Sequence, residues 1–140
     1  MRVIIDAKVI ISYLLDPQRQ SAIGTIFEGL FAGSFTLLLP EALLDEIVVT
    51  VRQKPRLRKR ISLNSLNNAM AALQLVAEEI PRIESEIPRV TRDPKDDYLL
   101  AYAVVGEADF LVSGDKDLLV LEELDSLRII SPATFAQQLT

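Results

Sequence analysis

Short apolar runs alternate along this chain with segments of helical period, and that alternation constrains the fold more than any other feature. Met1 to Ile5, Phe35 to Leu39 (FTLLL), Ala108 to Val112 (ADFLV) and Leu127 to Ile130 are nearly unbroken apolar runs of strand length. Such runs are typical of strands covered on both faces. Between them, Val9 to Leu15 and a stripe of Ile23, Ile26, Phe27, Leu30 and Phe31 follow helical spacing. So do Leu43, Leu44, Ile47, Val48 and Val51, and the long segment Leu63 to Ile80 with Leu66, Met70, Leu73, Ala77 and Ile80. Tyr98 to Val105 reads as a further helix that Gly106 ends, and Pro132 opens a terminal helix over Ala133 to Leu139. Ile87 to Val90 reads as a fifth strand. The pattern predicts βαβ units, hence an α/β fold with helices on both faces of a parallel sheet. With 140 residues and neither repeat nor linker, one domain over residues 1–140 is expected.

The strand-like runs end in polar residues that can carry chemistry. Asp6 follows the first run, and Ser113-Gly114-Asp115 follows the ADFLV run. Asp93, Asp96 and Asp97 open the helix before that run, with Asp97 in its first turn. Ligands of open parallel sheets collect beyond the carboxyl ends of the strands. Asp6, Asp97 and Asp115 are therefore expected to converge there, with Glu46 as a fourth acid from the helix after Pro40. Two close carboxylates repel by about 4 kcal/mol at a surface-like dielectric. A fold that gathers several normally places a cation among them. The blander reading of Asp93 to Asp97 is favourable charge at a helix N-terminus, and that of Glu46 is a solvated helix position.

Composition narrows the cation. The chain has no cysteine and no histidine, which excludes disulfides, thiol catalysis, Cys/His zinc sites and the Ser-His-Asp triad. Oxygen ligands alone point to Mg²⁺ or Mn²⁺. The net charge of −5 argues against a general nucleic-acid coat protein but leaves room for a local basic surface. Arg52, Lys54, Arg56, Arg58, Lys59 and Arg60 form such a run; it is either an RNA phosphate contact or a solvated helix end. The first residues are too interrupted by charge for a signal peptide, and no apolar run reaches membrane-spanning length. A cytoplasmic protein is expected.

Four blocks taken together resemble the PIN-domain nucleases, in particular the toxin components of bacterial toxin–antitoxin pairs. Val3-Ile-Ile-Asp6-Ala-Lys-Val9-Ile-Ile-Ser12 is similar to the family's opening strand with its aspartate. Leu39-Pro-Glu-Ala-Leu-Leu-Asp-Glu46-Ile resembles the second acidic block, and Arg92-Asp-Pro-Lys-Asp-Asp97 followed by Leu99-Leu-Ala-Tyr-Ala103 the third. Val112-Ser-Gly-Asp115-Lys-Asp117-Leu-Leu119 resembles the fourth, and the ending IISPATF also fits. The resemblance implies a three-layer α/β/α sandwich and metal-dependent endoribonuclease activity. It implies Asp6, Glu46, Asp97 and Asp115 as the metal-binding acids, with Asp96 and Asp117 second in rank and Asp93 a helix cap. It also implies an antitoxin partner and a homodimer. Ala7 and Lys8 stand where the family usually carries a small hydroxyl residue and asparagine, and Pro40 where it often has serine. A long cation at position 8 could reach back to Asp6 or Asp97 and compete with a metal. The alternatives are a catalytically weak PIN domain serving as a binding or assembly module, and a phosphatase or receiver-type domain. A receiver needs an acidic pair at the first strand end, where only Asp6 is found.

Overall fold

The computed structural model describes residues 1–140. Strand β1 (Arg2–Ile5) lies at the centre, and its Val3, Ile4 and Ile5 are wholly buried. It pairs in parallel on one side with β2 (Thr36–Pro40), which pairs in parallel with β3 (Glu78–Ile80). On its other side it pairs in parallel with β4 (Phe110–Val112), which pairs in parallel with β6 (Leu127–Ile130). The two-residue β5 (Glu123–Leu124) closes that edge antiparallel to β6, giving the order β3-β2-β1-β4-β6-β5. Ile4 sits between Leu38 and Leu111, so the apolar runs read in the sequence lie side by side in register.

Helices flank the sheet: α1 (Ala7–Leu15) and α2 (Ala22–Phe31) between β1 and β2, and α3 (Glu41–Gln53), α4 (Pro55–Arg60) and α5 (Leu63–Val76) between β2 and β3. Helix α6 (Pro94–Val105) precedes β4, the single turn α7 (Lys116–Leu119) follows it, and α8 (Pro132–Leu139) ends the chain. The apolar faces of helices and sheet merge into one continuous core. The architecture is a single α/β domain with a mostly parallel sheet flanked by helices. No helix is long and apolar enough to cross a membrane.

Two expectations are corrected. The helix expected to reach Ile80 stops at Val76, and Glu78–Ile80 forms the edge strand β3 instead. Glu78 and Glu79 are exposed, so the segment carries no apolar run; pairing with Leu38–Pro40 makes it a strand. The strand expected over Ile87 to Val90 is absent. Residues 81–93 form an irregular strap, pinned where Ile83 N–H donates to the Tyr102 hydroxyl at 2.9 Å. Arg82 anchors the same strap by ion pairs to Glu41 and Asp45.

The chain moves outward from β1 in one direction through β2 and β3, then returns to the other side through β4 and β6. The carboxyl ends of β1 and β4, neighbours joined by connections that diverge, form a topological switch point where a crevice opens.

Candidate active site

Asp6 leaves β1 as the N-cap of α1. Its Oδ1 accepts from the Lys8 N–H at 3.1 Å, and its Oδ2 accepts from the Ser113 hydroxyl at 2.7 Å. Ser113, fully buried at the end of β4, also accepts the Asp115 N–H on its Oγ at 3.0 Å. One hydroxyl therefore ties the ends of the two central strands together and orients two acids. Asp115 is the N-cap of α7, with Oδ1 accepting from Asp117 N–H at 2.9 Å.

Helix α6 brings the third acid. Asp93 caps it by accepting from Lys95 N–H at 2.9 Å, and Pro94 opens its first turn. Asp96 then points into a cleft of about 250 Å³ that Asp6, Glu46, Asp93 and Asp115 also line. Its side chain is 7 % exposed, and its buried Oδ2 has no hydrogen-bond donor. One oxygen each of Asp96, Asp115 and Asp117 lie within 4.8 Å of one another. Burial, reinforced by the charges of Asp115, Asp93 and Asp6, pushes the Asp96 carboxyl up to about 7. Glu46, half-buried on α3, is raised by its burial and by the charge of Asp6, with Lys95 and Lys8 pulling the other way. An undonated buried oxygen among an all-carboxylate set is suited to a hard divalent cation.

Asp97, expected among the metal-binding acids, does not line this cleft. It is buried too, but on the opposite side of α6, where Oδ1 accepts from Val90 N–H at 2.9 Å and Thr91 N–H at 2.6 Å. Arg89 Nε stands 3.3 Å from its other oxygen, Oδ2, a charge contact only, since that oxygen accepts no hydrogen bond. Burial would raise this carboxyl, but the two N–H donors and Arg89 outweigh it and hold it below the usual aspartate range. Asp97 fastens the strap; Asp96 faces the cleft.

The remaining residues fall as follows. Asp117 stands at the rim, where Arg92 donates to it at 2.9 Å. Lys8 lines the cleft without an ion pair to any acid, so the pairing with Asp6 or Asp97 that its length allows is not made. Of the basic run, Lys54 alone lines the cleft. Arg58 donates to the Arg52 carbonyl at 3.3 Å, and Arg56, Arg58, Lys59 and Arg60 project from α4.

The sequence profile of the PIN domain matches residues 2–117. The chain belongs to the PIN-domain family. No curated protein sequence matches it. Among solved structures, this PIN domain is similar to a chain of VapBC2 from Rickettsia felis, solved bound to a DNA fragment from its promoter. The TM-score is 0.62 at 12 % identity, over 94 % of this chain and 98 % of the other. It is also similar to PAE2754 from Pyrobaculum aerophilum, with a TM-score of 0.57 at 13 % identity over 99 % and 89 % of the two chains. At such identities the likeness is one of fold.

Where this PIN domain departs from the family pattern, the structure shows the compensation. Ala7 supplies no hydroxyl, but Ser113 and the Lys8 N–H hold both oxygens of Asp6. Pro40 opens α3 without a side-chain cap, and Glu41 supplies the first-turn negative charge. The sequence ranks Asp96 below Asp97, and neighbouring helical positions that are both buried carry no signal for the reverse. Lys95 and Tyr98 carried no signal; only the rotation of α6 sets them at the cleft.

Proposed function

We propose that this PIN domain is a Mg²⁺- or Mn²⁺-dependent endoribonuclease, the toxin of a toxin–antitoxin pair. The observation that carries the reading is the undonated Oδ2 of buried Asp96, in a group whose oxygens lie within 4.8 Å across Asp96, Asp115 and Asp117. Asp96, Asp115 and Asp117 would hold the ion, with Asp6 and Glu46 on the adjoining wall. When bound, such an ion supplies a water of lowered pKa and offsets negative charge gathering on the phosphoryl oxygens. Ser113 keeps Asp6 and Asp115 in place. The Glu46 carboxyl, raised by its burial and by the charge of Asp6, stands on the cleft wall as a candidate proton carrier. Asp97 belongs to the support of the site, not to its ligand set.

The antitoxin and the homodimer are part of the proposal; the fold shared with VapBC2 favours the antitoxin. Cytoplasmic residence goes with an RNA substrate.

Cleavage of a mixed RNA pool, with calorimetry of Mn²⁺ or Mg²⁺ in parallel, tests the reading. Wild type should cut with metal and not in EDTA, and Asp96→Asn should lose both heat and cleavage. Metal binding without cleavage would favour the binding-module alternative. Cleavage undiminished in EDTA would sink the metal reading.

A further inference from the structure

A second cavity, of about 350 Å³, lies on the other side of α6 from the acid cleft, between that helix, the strap and the turn after β5. Helix α6 gives it Asp97, Leu100, Ala101 and Val104, which recur at helical spacing, and the strap gives it Ile87 and Val90. Val90 and Val104 stay exposed there although both are apolar. The charged residues that line it are Glu86, Asp97 and Asp125, and no base does. Glu86 and Asp125 are exposed and make no ion pair. Asp97 is 2 % exposed; its Oδ1 takes the Val90 and Thr91 N–H groups, and its buried Oδ2 has no hydrogen-bond donor. Arg89 offers that oxygen a charge contact at 3.3 Å from a side chain that is 72 % exposed.

We infer that this cavity binds a small amphipathic cation, a primary amine or guanidinium on an apolar body, which donates to Asp97 Oδ2 and lays its body between the strap and α6. The inference stands apart from the nuclease reading. A buried polar atom without a partner is rare in folded chains, and a charged donor satisfies a carboxylate oxygen better than a neutral one. The size suits a small ligand, as do mostly apolar walls with one placed polar group. A bare divalent ion does not fit: it needs several oxygens, and beyond Asp97 the stripe of α6 offers only aliphatic side chains. The ligand cation would take the place of Arg89, whose exposed arm is free to turn to solvent.

The test is methyl NMR of the full chain titrated with cyclohexylmethylamine, with cyclohexylmethanol and methylamine as controls. The amine should shift the methyls of Val90, Leu100, Val104 and Leu124 in a saturable way and leave Ile11 and Leu43 at the acid cleft unmoved. The alcohol lacks the charge and methylamine lacks the body, so each should bind at least about tenfold more weakly. Arg89→Ala removes an exposed competitor and should tighten the amine about two- to fivefold without changing the alcohol. Asp97→Asn keeps an acceptor for Val90 and Thr91 and should bind the amine no better than the alcohol. Ala101→Phe fills the cavity and should weaken the amine at least about tenfold. Equal affinity for amine and alcohol in wild type overturns the inference, whether or not the Asp97 and Ala101 variants fold. So do shifts confined to Ile11 and Leu43, the absence of saturable shifts up to about 10 mM, or wild-type binding by folded Ala101→Phe.

Discussion

At the scale of single residues, two adjacent aspartates are buried within one helical turn and do opposite things. Each has one buried oxygen with no hydrogen-bond donor, but Asp97 accepts two N–H groups on its other oxygen and has Arg89 beside it, whereas Asp96 stands among the carboxylates of Asp115 and Asp117. Removing charge from Asp96 should therefore relieve the metal-free chain. Asp96→Asn is expected to melt at a higher temperature than wild type in EDTA. It should also lose most of the stabilisation that Mn²⁺ confers on wild type, about 2.7 kcal/mol at a hundredfold excess over Kd. Equal metal-induced shifts in the two proteins would remove Asp96 from the ligand set. The pH dependence follows from the same group. Its folded carboxyl titrates at about 7 against an ordinary 3.8, so the folded chain binds more protons than the unfolded one between those values. Stability in EDTA should thus be highest at the acid end of that window and fall, by on the order of a few kcal/mol, as pH rises through about 7. Glu46 adds in the same direction. Asp97, held low, acts oppositely and only below the ordinary aspartate range, where acid releases the strap. Urea midpoints at about pH 5 and pH 8 decide the sign. Ser113→Ala strips a donor from Asp6 and an acceptor from Asp115 N–H, and should cost about 1–3 kcal/mol of stability together with metal affinity.

At the scale of elements, α6 is built as a divider with the acid cleft on one side and the strap on the other. Asp97→Ala should free Val90 and Thr91 and speed hydrogen exchange and proteolysis across residues 81–93 before the sheet opens. Exchange as slow as in wild type would show that Tyr102 and Arg82 hold the strap alone. The other end of α6 is set by close packing. A Cβ added at Gly106 would lie 2.6 Å from Ile80 Cδ1 and 3.0 Å from Leu38 Cδ1, so the glycine lets the helix end against β2 and β3. Gly106→Ala should cost about 1–3 kcal/mol, read as a lowered denaturation midpoint with the denaturant slope unchanged. Arg2 reinforces the same corner: its guanidinium donates to the Gly106 carbonyl at 2.8 Å and pairs with Glu78.

At the scale of the whole molecule, a continuous apolar core carries a crevice whose floor is charged and whose walls come from α1, α3, α6 and α7. Much of this was legible in the chain. Central strands covered on both faces must be continuous apolar runs, so β1, β2, β4 and β6 announced themselves, and acids at the ends of β1 and β4 marked the switch point. The absence of histidine and cysteine left oxygen as the only ligand chemistry. Tertiary structure decided the rest. Glu78–Ile80 is a strand because β2 offers a free edge, not because its residues favour one. Residues 87–90 are held by Asp97 instead of by a neighbouring strand. Adjacent residues on a helix point about 100° apart, so Asp96 and Asp97 could not be told apart until packing fixed the rotation of α6. The same rotation brought Lys95 and Tyr98 to the cleft beside Lys54, which joins α3 to α4 some forty positions earlier in the chain. Local sequence specifies which segments can be buried; which side chains meet across a cavity depends on how whole elements are turned.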